Sequence, residues 1–355
     1  MSKEQQSAYR DAGVDIDAQD EALHRVKDLV RATTTPGVLS ELGSFGGLFR
    51  PSFEGLEEPV LVSSADGVGT KLRVAGLVGD YSTVGRDLVN HCVNDILVQG
   101  AEPLLFLDYV GAGVLESGSV VQLVEGVSSA CRENGCALLG GETAEMPGFY
   151  QPGDYELVGF VVGLVDRPKI LDGSKVSVGD VLVGLPSSGL HTNGYSLARH
   201  VLFERQGLTV DDPIPDVEPR RTVGEWLLDV HKSYLRAVRP LLGRDELRAL
   251  AHITGGGLVD NLPRSLPAGC RAVVHTDSWE VPEPFRAIER LGGIERQEMF
   301  RVFNMGVGMA LVVRREGLET VLAELRDHGE EPFVFGEVVA GDRGVELSGE
   351  GAEGS

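Results

Sequence analysis

No two cysteines stand in a C-x-x-C spacing anywhere in this chain of 355 residues, and the four that exist, Cys92, Cys131, Cys136 and Cys270, have no histidine cluster beside them. That excludes the usual structural zinc arrangement. Cys92 and Cys131 fall in helical patterns and read as small buried apolar groups in a reducing compartment. Long apolar runs are also missing. The most notable, Leu157 to Val165, is far short of the roughly 20 residues a membrane-spanning helix needs. The opening MSKEQQSAYRDAG lacks a hydrophobic signal core. A cytoplasmic protein with no membrane partner is expected. Positive charge is scarce as well: 32 Lys and Arg face 54 Asp and Glu, for a net charge of −22. Such a surface repels nucleic acid, which is excluded as a partner. A phosphorylated small molecule meets the same repulsion unless the site supplies cations, and magnesium held by carboxylates is the usual remedy.

Glycine, by contrast, is abundant, at 47 residues. Glycines that follow strands let the backbone approach a ligand closely. The length suggests two domains. Apolar runs alternate with helical patterns: strands at 60–65, 104–109, 137–139 and 155–165, helices at 83–98 and 115–133. Asp166-Arg167-Pro168 breaks the pattern. Beyond it come strands at 180–185, 272–276, 306–314 and 334–339, and helices at 195–206, 222–242, 283–291 and 318–328. The expectation is an α/β or α+β protein of two domains, 1–170 and 171–345, with a disordered tail over 346–355.

Several glycine loops carry polar groups that suit phosphate chemistry. Val60-Leu61-Val62 leads into SSADGVGTKL (63–72). This is neither G-x-x-x-x-G-K-[ST] nor G-x-G-x-x-G. Asp66 at a strand end could hold a metal, Gly67 and Gly69 could expose N–H groups, and Thr70 and Lys71 could donate to phosphate. On the next helix Asn90 and Asn94, and His91 and Asp95, are i, i+4 pairs on one arc. Asparagine is a poor helix former, so the arc points to directional hydrogen bonds or metal ligation. LLGGETAEMPG (138–148) adds Glu142 and Glu145 after another strand. Oxygen ligands of this kind suit Mg2+. In the second half, His191 and Asn193 lie in a loop before a helix, and His252 precedes Gly255-Gly256-Gly257. A histidine beside such a loop is a candidate for charge stabilisation or proton transfer.

Taken together, YRDAGVDIDA, DGVGTKL, CVNDILVQGAEPLLFLDY, GGETAEMPG, DGSKVSVGD, SSGLHTNGYSLAR, AHITGGG and FNMGVGM resemble the aminoimidazole ribonucleotide synthetase family, from about residue 8 to 340. The resemblance implies a homodimer in which N-terminal sheets pair, with a C-terminal domain of mixed sheet and flanking helices. It implies that ATP activates the formyl-amide oxygen of formylglycinamidine ribonucleotide and that a nitrogen of the same molecule then closes the imidazole ring. On this resemblance Asp66, Asp95 and Glu142 would hold Mg2+. Lys27, Gly67, Gly69, Thr70, Lys71 and Asn94 would bind ATP, under a lid at 37–47. His191, Asn193 and His252 would face the nucleotide substrate. The family carries Pro-Thr-Arg-Ile-Tyr where this chain has Val230-His231-Lys232-Ser233-Tyr234, which leaves Lys232 as a candidate substitute for a phosphate-binding arginine. Selenophosphate synthetases, thiamine monophosphate kinases and a hydrogenase-maturation protein share the superfamily. The HTNG and HITGGG loops fit the cyclo-ligase better.

Overall fold

The structure is a computed structural model that describes residues 16–41 and 43–349. Residues 8–15 of the family resemblance, residue 42 of the expected lid and 350–355 of the tail lie outside it. Helix α1 (Ile16–Arg31) precedes β1 (Pro59–Gly67), α2 (Lys71–Val78), α3 (Ser82–Leu97), β2 (Glu102–Ala112), α4 (Ser117–Asn134), β3 (Ala137–Glu145) and β4 (Tyr155–Asp166). The four strands form one mixed sheet in the order β1-β4-β2-β3, with β2 and β3 parallel. Alternation along β1 and β4 turns Leu157, Val161 and Val165 into the core under α3 and α4. Among the described residues no helix covers the opposite face. Leu61 and Phe160 are exposed there, and Leu105, Leu107 and Val158 are half-buried.

The second half contains β5 (Val181–Pro186), α5 (Tyr195–Arg199), α6 (Val223–Leu227), α7 (Leu235–Val238), β6 (Leu247–His252), α8 (Gly257–Asn261), β7 (Cys270–His275), α9 (Glu283–Gly292), α10 (Arg296–Val302), β8 (Val307–Val313), α11 (Leu318–Asp327), β9 (Phe333–Ala340) and β10 (Gly344–Ser348). They build a six-stranded mixed sheet in the order β10-β7-β9-β5-β8-β6. Here β8 is buried along its whole length, as expected for a strand covered on both faces.

Two expectations need correction. Residues 346–348 are not a disordered tail, because β10 pairs in parallel with β7, Leu347 opposite Val274. The helix expected over 222–242 is broken into α6 and α7, and residues 228–234 between them run irregularly. The cause is on α3. Asp87 Oδ1 accepts from the His231 N–H at 2.6 Å, Asn90 Nδ2 donates to the His231 carbonyl at 2.7 Å, and Asn94 holds the Lys232 carbonyl at 2.8 Å and the Tyr234 N–H at 3.0 Å. These side chains satisfy backbone groups that a helix would have satisfied itself. The segment is thereby drawn across the domain boundary onto α3.

Candidate active site

β1 is an edge strand of the first sheet and β6 of the second, and residues of both line one cavity. The cavity is about 830 Å3, within the size range of ligand sites, about 300–1,000 Å3. Asp66 from β1, His91 and Asp95 from α3, and His252 from the end of β6 line it. Helical spacing places His91 and Asp95 one turn apart on the face toward β1. The pleat sends Ser64 and Asp66 the same way.

With two more residues these groups form a chain of hydrogen bonds that a longer ion-pair contact closes into a ring. Asp66 Oδ2 meets His91 Nε2 at 2.8 Å, and His91 Nδ1 meets Thr192 Oγ1 at 2.6 Å. Thr192 Oγ1 contacts His231 Nδ1 at 3.3 Å, and His231 Nε2 meets His252 Nε2 at 3.0 Å. His252 Nδ1 then reaches Asp95 Oδ1 at 2.8 Å, and Asp95 Oδ2 returns to His91 Nε2 at 3.7 Å. The proton arrangement that agrees with the raised pKa of His91 satisfies each hydrogen bond of the chain. A charged His91 donates to Asp66 and to Thr192, the Thr192 hydroxyl donates to His231, His231 to His252, and His252 to Asp95.

The electrostatics agree with that arrangement. Burial opposes charge on His91, but the Asp66 hydrogen bond and the Asp95 charge outweigh it and raise its pKa. Burial holds His231 well below its ordinary value, helped by the neighbouring histidines. Burial also lowers His252, although Asp95 pulls the other way. Burial would raise Asp66 and Asp95. Hydrogen bonds and charge from His91 and His252 offset it, so both carboxyls lie below their usual value and stay ionised.

The donor set fits a hard divalent cation. Two carboxylates from different elements reach toward one histidine nitrogen, and each oxygen keeps a free lone pair beyond its present hydrogen bond. Mg2+ takes one or two carboxylates and fills its other positions with water and phosphate oxygens. The buried trio His191, His231 and His252 brings nitrogens within 4.8 Å of one another. It is poorly shaped for a softer metal, because the His191 and His231 rings are stacked, 4.0 Å apart and 18° from parallel. A metal bound in the plane of one ring lies off the plane of the other.

Of the residues anticipated from sequence, Asp66, Asp95 and His252 converge on the cavity, and several do not. Glu142 is corrected. The strand expected to end at 139 continues through Gly140 and Gly141, so Glu142 sits on β3 in register with Tyr109 and Val158. That row faces away from α3, whereas Asp66 shares a row with Gly159 on the α3 side. Lys71 is corrected too. Its ammonium is fully buried and meets Asp87 Oδ2 at 2.7 Å, the Asp229 carbonyl at 2.7 Å and the His191 carbonyl at 3.2 Å. All three of its N–H groups are engaged, so none is left for phosphate. Asn94 is likewise buried and committed to the 232–234 backbone.

The remaining candidates are not in the lining of the cavity. His191 is buried behind His231 in a left-handed backbone conformation (φ 62°), with Nε2 accepting from the Ser188 N–H. Asn193 lies beside Gly255. Gly67 ends β1, Gly69 takes φ 64°, and Thr70 exposes its hydroxyl beside Ser196. Lys27 is on α1, which packs on α4 and β3, and residues 37–41 and 43–50 fold back on themselves with Gly47 against Leu139. The triple glycine is held from within: Asn261 Nδ2 donates to the Gly257 carbonyl at 2.8 Å and the Gly255 carbonyl at 3.2 Å. His231 and Thr192 escaped the sequence reading as site residues; the one signal was their presence in motifs flanked by glycine or by Lys232.

Lys232 itself is paired with Glu330 at 2.7 Å. Lys232→Ala is therefore expected to leave the KM for the nucleotide substrate unchanged within about twofold; a tenfold rise in steady-state kinetics would contradict this placement.

Residues 54–165 match the family described as "AIR synthase related protein, N-terminal domain", and residues 177–347 match its C-terminal domain. The chain belongs to the AIR synthase family. Within that family it is 52% identical, over 97% of its length and 98% of the relative's, to a protein of Citrifermentans bemidjiense named phosphoribosylformylglycinamidine cyclo-ligase. A Geobacter sulfurreducens protein of the same name is 49% identical, over 96% of this chain and 97% of the relative. The AIR synthase fold also superposes on a thiamine-monophosphate kinase from Stenotrophomonas maltophilia, with a TM-score of 0.67, 17% identity and coverage of 92% and 96%. A hydrogenase maturation protein HypE in complex with ATP superposes with a TM-score of 0.64 and 20% identity, covering 92% of this chain and 91% of that one. At such identities these two structures share the fold.

Proposed function

We propose that this cleft closes an imidazole ring in purine biosynthesis, converting formylglycinamidine ribonucleotide and ATP to aminoimidazole ribonucleotide, ADP and phosphate. The observation that carries the reading is the pair of ionised carboxylates, Asp66 and Asp95, oriented in a ligand-sized cavity of a chain about half identical to named cyclo-ligases over nearly its full length. The formyl-amide oxygen is a poor leaving group; transfer of the ATP γ-phosphoryl group makes it part of phosphate, a good one. The attacking nitrogen belongs to the same molecule, so holding the substrate folded makes closure unimolecular and removes much of the entropic barrier. Magnesium, held by Asp66 and Asp95, would supply charge neutralisation at the transferring phosphoryl group. Gly67, Gly69 and Thr70 follow Asp66 directly and offer the chain's turn and hydroxyl to the triphosphate. His91 and His252 fix the carboxylates in place, so His252 acts as a positioning residue. His191 and Asn193 support the 188–194 loop that carries Thr192.

The test is ADP release. Release that depends on formylglycinamidine ribonucleotide supports the cyclo-ligase. ADP formed only with thiamine monophosphate would instead make the protein a kinase, and ATP binding without turnover on either would make it a silent relative.

A homodimer belongs to the same proposal. The face of the four-stranded sheet turned away from α3 leaves Leu61 and Phe160 exposed beside half-buried Leu105, Leu107 and Val158, an apolar patch of the kind that marks an interface. Light scattering after gel filtration should give twice the chain mass, and Phe160→Asp should shift it toward the monomer. A monomeric wild-type protein at micromolar concentration overturns the dimer and leaves the ring-closure proposal standing.

A further inference from the structure

We infer that Arg264 binds the 5′-phosphate of the nucleotide substrate; the inference rests on the cleft being the site of ring closure. That substrate is a phosphomonoester, a dianion at neutral pH, entering a protein of net charge −22. At the Asp66–Asp95 end the one cation among the described residues, His91, is taken up by Asp66 and Thr192, and the two ionised carboxylates repel a second anion unless a metal intervenes. Arg264 is the lining residue with a permanent positive charge. It is exposed, and no carboxylate pairs with it among the described residues. Most of the cleft's other polar groups are spent. Asn261 is committed to the glycine loop. The third lining carboxylate, Asp172, is held at Oδ1 by the Ser174 N–H at 2.9 Å, and its hydrogen bonds to Ser174 keep its pKa low.

The location also suits the substrate. Arg264 sits in the 3-10 turn Leu262–Ser265, anchored by buried Leu262 and Leu266. The Ser265 hydroxyl donates to the Leu250 carbonyl at 2.5 Å, pinning this turn to β6. His252 lies two residues along the same strand, a rise of about 7 Å. The turn that carries Arg264 is therefore anchored to β6 two residues before His252, and Arg264 lines the same cavity as the Asp66–Asp95 end where the chemistry is placed. A guanidinium fork matches phosphate geometry with two parallel hydrogen bonds, which a lysine cannot reproduce. ATP phosphates are the competing occupant, but they travel with magnesium and belong with Asp66 and Asp95 at the other end.

The test is steady-state kinetics on Arg264→Ala and Arg264→Lys, with both substrates varied. Arg264→Ala should raise the KM for formylglycinamidine ribonucleotide at least tenfold, with a smaller fall in kcat and the KM for ATP unchanged. Arg264→Lys should recover part of the loss, and its effect should shrink as ionic strength rises. An unchanged nucleotide KM overturns the inference, as does a rise confined to the KM for ATP. Asp95→Asn is run alongside. An inactive Asp95→Asn with a normal Arg264→Ala removes only the phosphate assignment, whereas normal kinetics in both removes the cleft itself. Because Arg264 is exposed, both Arg264 variants should melt with the wild type, and a shared melting temperature excludes misfolding as the cause.

Discussion

Asp95→Asn is expected to lower turnover at least about a hundredfold, the scale of losing one preorganised electrostatic group in an active site, while the protein stays folded. The substitution keeps the shape of the side chain and one acceptor oxygen. That oxygen can still take the His252 hydrogen bond, so the link at 2.8 Å survives. What is lost is the charge. The amide nitrogen then faces Ser64 and the charged His91, which presented no conflict to a carboxylate. Asp66 alone is left to hold a divalent cation. Single-turnover ADP formation separates this from weakened binding: the chemical step should slow at saturating ATP and substrate. Unchanged turnover would remove Asp95 from the chemistry and with it the paired-carboxylate reading of the cleft.

The largest stability effect is expected at Lys71, which sequence alone places at a phosphate. Lys71→Met should destabilise the protein by about 3–5 kcal/mol, the usual consequence of removing one partner of a buried ion pair. Both side chains of the Lys71–Asp87 pair are fully buried. Burial pushes the Asp87 carboxyl up, and Lys71 is the main influence pulling it back. Without the ammonium, Asp87 must be protonated or remain as an uncompensated charge. The Asp229 and His191 carbonyls also lose a donor, and these belong to the second half of the chain. The lysine thus ties α2 to two loops across the domain boundary. Lys71→Met combined with Asp87→Asn should recover part of the loss, because the stranded charge is gone while the His231 N–H keeps an acceptor. Urea midpoints measure both. A single-variant loss under about 1 kcal/mol would mean that water or another cation takes over the site.

Much of this protein is legible in its sequence. The strand-then-glycine grammar, the acids at Asp66 and Asp95 and the histidine at 252 all follow from local pattern, because strand and helix periodicities are set by neighbours in sequence. The i, i+4 arrangement of His91 and Asp95 correctly put them on one face. The motifs also identified the family. Other features were hidden. The six residues of β6, LRALAH, lack an alternating pattern because the strand lies against β8 in a covered sheet. Glu142 was misplaced because two glycines resemble the end of a strand, while in the fold they continue it to let Asp108 crowd Gly141.

The deeper division concerns partners. Asparagines at 90 and 94 announced directional hydrogen bonds, and the sequence could say no more than that some polar group awaited them. Their partners lie about 140 positions away, on a segment whose own pattern read as helix. Lys71 presented the same ambiguity, since a lysine after a glycine turn meets phosphate or a buried aspartate with equal local sense. Sequence fixes which groups need satisfying, for that is a property of each side chain. Which distant group satisfies them depends on how α2 and α3 pack against loops of the second half, and only the packed chain settles that.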